Sequence, residues 1–300
     1  MLIKEFILES NKIKKDTCII LLNDLHISKR TKIQKYNILL DKIKDIKPDF
    51  IVFAGDIIDN AKYYDQRLIT FLKNLSTLTN KVLINIGNHE ESTIVKGKSI
   101  KYINESFYNE LNSIDNVMLL EEYQNNIYNI NFLSLTLDSI EHYKIKKENK
   151  NHFIKSANES LPKNIKNSTY NILLCHTPIN IMNQNTYSKI NISSNLDLVL
   201  SGHMHNGCVP YFIEKPYSFI LKIFKDKYHN NRGFISPGRS FFPKLSRNKV
   251  NIIDKVTGII GAPVTTISEN YKLLSKIANN KIIFPIAINK IIINKINWKF

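Results

Sequence analysis

The tetrapeptide Gly202-His203-Met204-His205 closes an apolar segment, "LDLVLSGH", and sets two imidazoles one residue apart where a strand should end. With only eight histidines in 300 residues, that pairing calls for a cause. A shared metal ion is one; a turn carrying two solvated rings is the other. Four more stretches put ligand-type side chains directly after an apolar run. Asp24-Leu25-His26 follows "TCIILLN", Gly55-Asp56 with Asp59 follows "DFIVFA", Gly87-Asn88-His89 follows "KVLINI", and His176 follows "YNILLC". Five of the eight histidines fall in these places, whereas His142, His152 and His229 fit no ligand spacing and read as surface residues.

These side chains can cooperate only if the fold gathers the ends of their runs. After the first run, Ile33, Tyr36, Leu39, Leu40, Ile43 and Ile46 recur at helical spacing until Pro48. After the second, Leu68, Ile69, Leu72, Leu75 and Leu78 do the same, and after the third, Ile100, Ile103, Phe107 and Leu111 predict another helix. The unit is β-α-β-α, in which carboxyl ends of parallel strands line one edge of a sheet. Later strands are predicted at "NVMLLEE", "IYNINFLSLTL", "YNILLCH", "LDLVLSGH" and "RGFISP", with little helix between them. Polar crowding at 144–151 and 163–171 reads as solvated loop. No repeat or boundary divides the chain, so residues 1–300 are expected to form one domain. Its end, 252–300, is expected to supply closing strands, with an interfacial anchor as the alternative.

Composition bounds the class. Hydrophobic residues make up 43% and charged residues 23%, as in a folded globular chain. No apolar run is long enough to cross a bilayer, and the N-terminus interleaves charge with apolar residues, so neither a membrane span nor a secretory signal is expected. Three scattered cysteines, Cys18, Cys175 and Cys208, make no disulfide framework and point to a reducing compartment, by default the cytoplasm. The net charge of +16 is a weak pointer to anionic partners, because Lys, Asn and Ile are abundant on every kind of segment.

The order Asp-x-His, Gly-Asp, Gly-Asn-His, His, Gly-His-x-His along residues 17–240 resembles the calcineurin-like metallophosphoesterases, and among them a bacterial branch of small phosphodiesterase-type enzymes. The resemblance implies an α/β fold, a four-layer α/β/β/α sandwich of two mixed sheets flanked by helices. It implies two divalent metal ions (Mn, Fe or Zn, with Mn favoured). Asp24, His26, Asp56 and His205 would hold one; Asn88, His176 and His203 the other, with Asp56 bridging. Carboxylate, imidazole and amide oxygen form a mixed donor set suited to such ions. The implied reaction is hydrolysis of a phosphate ester, a phosphodiester by preference, by metal-bound hydroxide. His89 is then the candidate general acid, and Asp59 either orients its imidazole or caps a turn. Two positions depart from the pattern. Glu90 stands where the family often has Asp, and Asn60 stands where its protein phosphatases have Arg, which argues against a protein phosphatase. The rival readings are a nuclease of the same superfamily, which the basic charge would suit, and an inactive binding scaffold.

Residues 211–232 read as an insertion between the last two motifs. Within 217–228, Tyr217, Ile220, Leu221, Phe224 and Tyr228 share one helical face beside Lys222, Lys225 and Lys227. Such a segment can pack on the sheet, act as a lid, or make peripheral contact with an anionic membrane surface. Nothing in the sequence fixes an oligomeric state.

Overall fold

The computed structural model of the chain describes residues 2–29, 31–95, 98–120, 124–136, 155, 158–159, 165–176, 195–202, 250–253 and 287–296. The first half alternates strand and helix: β1 (Leu2–Ser10), β2 (Thr17–Leu22), α1 (Ile33–Ile46), β3 (Phe50–Ala54), α2 (Gln66–Ser76), β4 (Lys81–Asn85), α3 (Asn88–Glu91), β5 (Ser92–Val95), β6 (Lys98–Lys101), α4 (Glu105–Asn112) and β7 (Val117–Leu119). Strands then dominate: β8 (Gln124–Ile127), β9 (Ile130–Leu135), β10 (Tyr170–Cys175), β11 (Leu198–Ser201), β12 (Val250–Ile253) and β13 (Ala287–Lys295).

Two mixed sheets result. The first has the order β1-β13-β2-β3-β4-β7 and is parallel from β2 to β7, with β13 antiparallel to β2. The second has the order β12-β11-β10-β9-β8, parallel except for the β8–β9 pair. Alternation along β2, β3 and β4 sends side chains to two different cores. Ile20, Leu22, Ile51, Phe53, Val82 and Ile84 meet Tyr36, Leu39 and Ile43 of α1, Leu68, Leu72 and Leu75 of α2, and Phe107 and Leu111 of α4. Ile19, Leu21, Phe50, Val52 and Leu83 face the other way and meet Phe132, Tyr170, Ile172, Leu174, Leu198 and Leu200 of the second sheet. Burial on both faces explains why these strands are continuous apolar runs. Each large side chain so buried contributes roughly 1.5 to 3 kcal/mol. The mixed sheets and flanking helices are those of the implied sandwich. Helices expected outside the second sheet lie outside the described residues, as do the strand at "RGFISP" and the segment 211–232.

Three segments differ from the sequence reading. Ile100 belongs to a hairpin of β5 and β6, and α4 starts only at Glu105, because Asn104 caps it by accepting from the Phe107 N–H at 3.2 Å. Ile100 and Ile103 are therefore exposed. In the run "IYNINFLSLTL" only Ile130–Leu135 forms one strand, β9; Ile127 ends β8, and Tyr128 and Asn129, with φ of 56° and 65°, make a two-residue reversal between the two strands. Leu2–Ser10, with its interleaved charges, is a strand parallel to β13.

Candidate metal centre

Strands β2, β3 and β4 run in parallel register, so the loops after them leave the same edge of the first sheet. The loops after β10 and β11 leave the second sheet beside them: the Gly202 N–H donates to the His176 carbonyl at 3.0 Å. Asn23 ties the two sheets together there. Its side-chain N–H donates to the Ser201 carbonyl at 3.0 Å while its amide oxygen accepts from the Ala54 N–H. Asn85, at the end of β4, donates to Ser134 Oγ of β9 at 2.6 Å.

The loops after β2 and β3 run alongside each other. Asp24 N–H donates to the Gly55 carbonyl (3.1 Å), His26 N–H to Asp56 (3.0 Å), Ile27 N–H to Ile57 (2.8 Å) and Asp59 N–H to Ile27 (3.1 Å). Both loops turn through left-handed backbone, with φ of 51° at Asp24, 43° at His26, 91° at Gly55 and 55° at Asp56. Non-glycine residues enter that region at a cost and stay there only where surrounding bonds hold them. Here the strain turns Asp24, His26 and Asp56 into one buried group, whose ligand atoms lie within 4.8 Å of one another.

Asp56 is the hub. Its Oδ1 accepts the backbone N–H of His89 at 2.9 Å, while Oδ2 faces three imidazoles: His176 Nε2 at 3.1 Å, His26 Nε2 at 3.7 Å and His89 Nε2 at 3.9 Å. Burial alone would raise the Asp56 carboxyl, but His176, His89 and His26 override it and hold it well below the usual carboxylate range. His176 is fully buried, and its Nδ1 bonds the Ala54 carbonyl at 2.7 Å. A carbonyl can only accept, so the proton sits on Nδ1 and Nε2 is the nitrogen turned to Asp56. Burial opposes a charge on this ring, yet the Asp56 carboxylate and the hydrogen bonds bring its pKa up to about 9.

His89 is the more open ring, its side chain 28% exposed, at the rim of the group. Its Nδ1 bonds the backbone carbonyl of Asp59 at 2.7 Å, which leaves Nε2 to face the centre. The Asp59 carboxylate itself is 57% exposed and lies 3.9 Å from His26 Nδ1; the residue's hydrogen bond to His89 is through the main chain, while the carboxylate, His26 and His89 bring ligand atoms within 4.8 Å of one another. Burial lowers the His89 pKa, but Asp56 and the Asp59 carbonyl raise it further. Asn88 is buried as the first residue of α3, and its carbonyl accepts from Ser92 Oγ at 2.6 Å.

Glycines make the close approach possible. A methyl on Gly55 would come within 2.6 Å of His176 Nδ1 and 2.7 Å of the Gly87 backbone, and one on Gly87 would overlap Asp56 Oδ1. One on Gly202 would lie 2.8 Å from Asp24 Oδ2, so the segment leading to His203 passes directly over Asp24. His203 and His205 themselves lie outside the described residues. Of the nine expected site residues, the structure thus gathers Asp24, His26, Asp56, Asn88, His89 and His176, with the Asp59 side chain at the edge.

Two residues important to this geometry escape the sequence reading. Asn23 has no signal beyond preceding Asp24. Glu90, visible only as a departure from a family pattern, is buried and accepts the N–H groups of Asp56, Gly87 and Ile58. Its place three residues after Gly87 follows the capping-box spacing. Burial and the nearby Asp56 charge raise its pKa against the pull of those N–H groups.

The donor set suits divalent ions. The ligand atoms of Asp24, His26 and Asp56 lie within 4.8 Å of one another, the range in which small adjustments of the side chains would let them share one ion at roughly 2.0 to 2.2 Å.

Comparison with known proteins bears on this site. The sequence profile described as calcineurin-like phosphoesterase matches residues 19–207. An uncharacterized metallophosphoesterase of Helicobacter pylori (strain J99) is 25% identical over 227 residues, covering 76% of this chain and 53% of that protein. YkuE, an uncharacterized metallophosphoesterase of Bacillus subtilis (strain 168), is 36% identical over 74 residues, covering 24% of this chain and 26% of that protein. The chain spans about half the length, or less, of the curated relatives it matches. Among solved structures, a dimetal phosphatase from Danio rerio is similar with a TM-score of 0.39 at 11% identity, over 65% of this chain and 84% of that one.

Proposed function

The chain belongs to the calcineurin-like phosphoesterase family, and on that premise we propose that it hydrolyses phosphate esters, phosphodiesters by preference, at a centre of two divalent ions with Mn favoured. The observation that carries this reading is the buried cluster of Asp24, His26 and Asp56, with Asp56 Oδ2 also turned to His176. Asp24, His26, Asp56 and His205 would hold one ion, and Asn88, His176 and His203 the other, Asp56 serving both. When bound, the pair supplies Lewis acidity, charge for a phosphoryl group and activation of water.

The chain's own residues have separable tasks. Asp56, kept ionised by the imidazoles around it, supplies the negative charge that two dications need. His176 is held in one tautomer by the Ala54 carbonyl, which fixes the direction of Nε2. His89, tethered through Nδ1 to Asp59, presents Nε2 at the open rim and donates a proton to the departing oxygen. Asn60, in place of the Arg of protein phosphatases, argues against a phosphoprotein substrate. Residues 217–228, outside the described residues, are proposed to meet an anionic amphiphile or membrane surface.

The test is metal-stripped protein reconstituted with Mn, Fe or Zn and assayed against aryl monoesters, aryl diesters, cyclic nucleotides, lipid headgroups and DNA. Metal-dependent turnover with diesters ahead of monoesters is the expected result. No metal uptake in any reconstitution would sink the reading, and salt-sensitive turnover of DNA ahead of the small esters would replace it with the nuclease.

A further inference from the structure

Glu90 is 1% exposed, and its carboxylate joins two loops by three main-chain bonds. Oε2 accepts from Asp56 N–H and Gly87 N–H, each at 2.8 Å, and Oε1 accepts from Ile58 N–H at 3.0 Å. Asp56 and Ile58 lie on the loop after β3, and Gly87 on the loop after β4. Asp56 answers with a bond in the opposite direction, its Oδ1 accepting the His89 N–H at 2.9 Å. The two crossed bonds close a ring from Asp56 through Glu90 to His89. A four-residue helix such as α3 cannot fix its own orientation, and this ring does so from outside. It also engages Oδ1, so that Oδ2 is the oxygen left facing His176, His26 and His89.

We propose that Glu90 is a positioning residue of the metal centre: by holding the Asp56, Ile58 and Gly87 N–H groups it sets where the Asp56 carboxylate stands relative to Asn88 and His89, and thereby the affinity for divalent ions. The proposal rests on the reading that this centre binds such ions. It depends on both oxygens and on the reach of the side chain. Glutamine offers one acceptor oxygen, and its NH2 would face an N–H donor on the other arm. Aspartate, which the family often has here, keeps both oxygens but is one methylene shorter, so in loops spaced for glutamate it would reach fewer of the three N–H groups.

The experiment titrates Mn into metal-stripped parent, Glu90→Gln and Glu90→Asp, with secondary structure checked by circular dichroism. Both variants should bind Mn about 10- to 100-fold more weakly. Their turnover at low Mn should fall and recover in large part at saturating Mn. A residue that only stabilised the fold would lower Tm and leave Mn affinity where it was, so parental affinity in a folded Glu90→Gln protein overturns the proposal alone. A parent that takes up neither Mn nor, in parallel titrations, Fe or Zn overturns it together with the reading beneath it. Should both variants fail to fold, amide hydrogen exchange in the intact parent decides: the Asp56, Ile58 and Gly87 amides should be as protected as those inside β3 and β4, and rapid exchange at them refutes the proposal.

Discussion

With the proton on His176 Nδ1 committed to the Ala54 carbonyl, any change in the ring's charge with pH takes place at Nε2, the nitrogen turned to Asp56. In the metal-free protein its pKa is raised from 6.5 to about 9, burial opposing the charge and Asp56 winning. The imidazolium therefore stabilises the metal-free fold fully below the unfolded value, near 6.5, and that contribution is lost as pH rises through about 9. Metal uptake has the opposite sign, because an ion requires the neutral ring. Affinity should rise with pH up to about 9, and uptake near pH 7.5 should release protons. Calorimetry in buffers of different ionisation enthalpy would register the release; heats independent of buffer would contradict it. His89 predicts a different phenotype. His89→Ala should keep its bound Mn and lose about 100- to 10,000-fold in turnover on esters with basic leaving groups, but much less on those whose leaving groups are already acidic. An equal loss across a leaving-group series would remove His89 from the acid role.

At the scale of elements, the centre depends on two loops approaching closely enough to share bonds, and the glycines decide whether they can. Gly55 has φ of 91° and no room for a methyl between His176 and Gly87. Gly55→Ala should therefore cost about 1 to 3 kcal/mol of stability, measurable by denaturant unfolding, and should weaken Mn binding as well. Unchanged stability would mean that the loops can separate without loss. The parts legible in the sequence share a physical basis: β3 is apolar throughout and β2, β4 and β10 are mostly so because both faces are buried, and the ligand-type residues that follow each run are visible by contrast. Helices α1 and α2 were equally visible through one apolar stripe facing one sheet. Other features carried no such contrast. The reversal at Tyr128 and Asn129 lacks the Gly or Pro that usually signals a turn, and the spacing of Ile100, Ile103, Phe107 and Leu111 imitates a helix although only the last two lie on one. Asn23 acts on main-chain groups at the ends of β3 and β11 and Glu90 on those of the loop after β3, a relation that no side-chain spacing records.

At the scale of the whole molecule, the net charge of +16 is a weak pointer to an anionic partner, and the proposed membrane contact is the form of it that can be tested. Among the described residues no helix is long and apolar enough to cross a membrane. Residues 217–228 have the composition for the proposed contact, with an apolar stripe flanked by Lys222, Lys225 and Lys227. Replacing Ile220, Leu221 and Phe224 by Ser should leave hydrolysis of a small aryl diester nearly unchanged, since none of the three is among the proposed ligands. The same change should weaken binding to vesicles containing anionic lipid, because each large apolar side chain buried at an interface contributes roughly 1.5 to 3 kcal/mol. Charge reversal at the three lysines should weaken it too, and more strongly at low salt, where a screening length near 30 Å at about 0.01 M lets separate charges act together. Loss of all activity with unfolding would instead place the stripe in the core. A folded serine variant that binds vesicles as the parent does would exclude the membrane contact, and the stripe would then have to serve the substrate or another part of the chain.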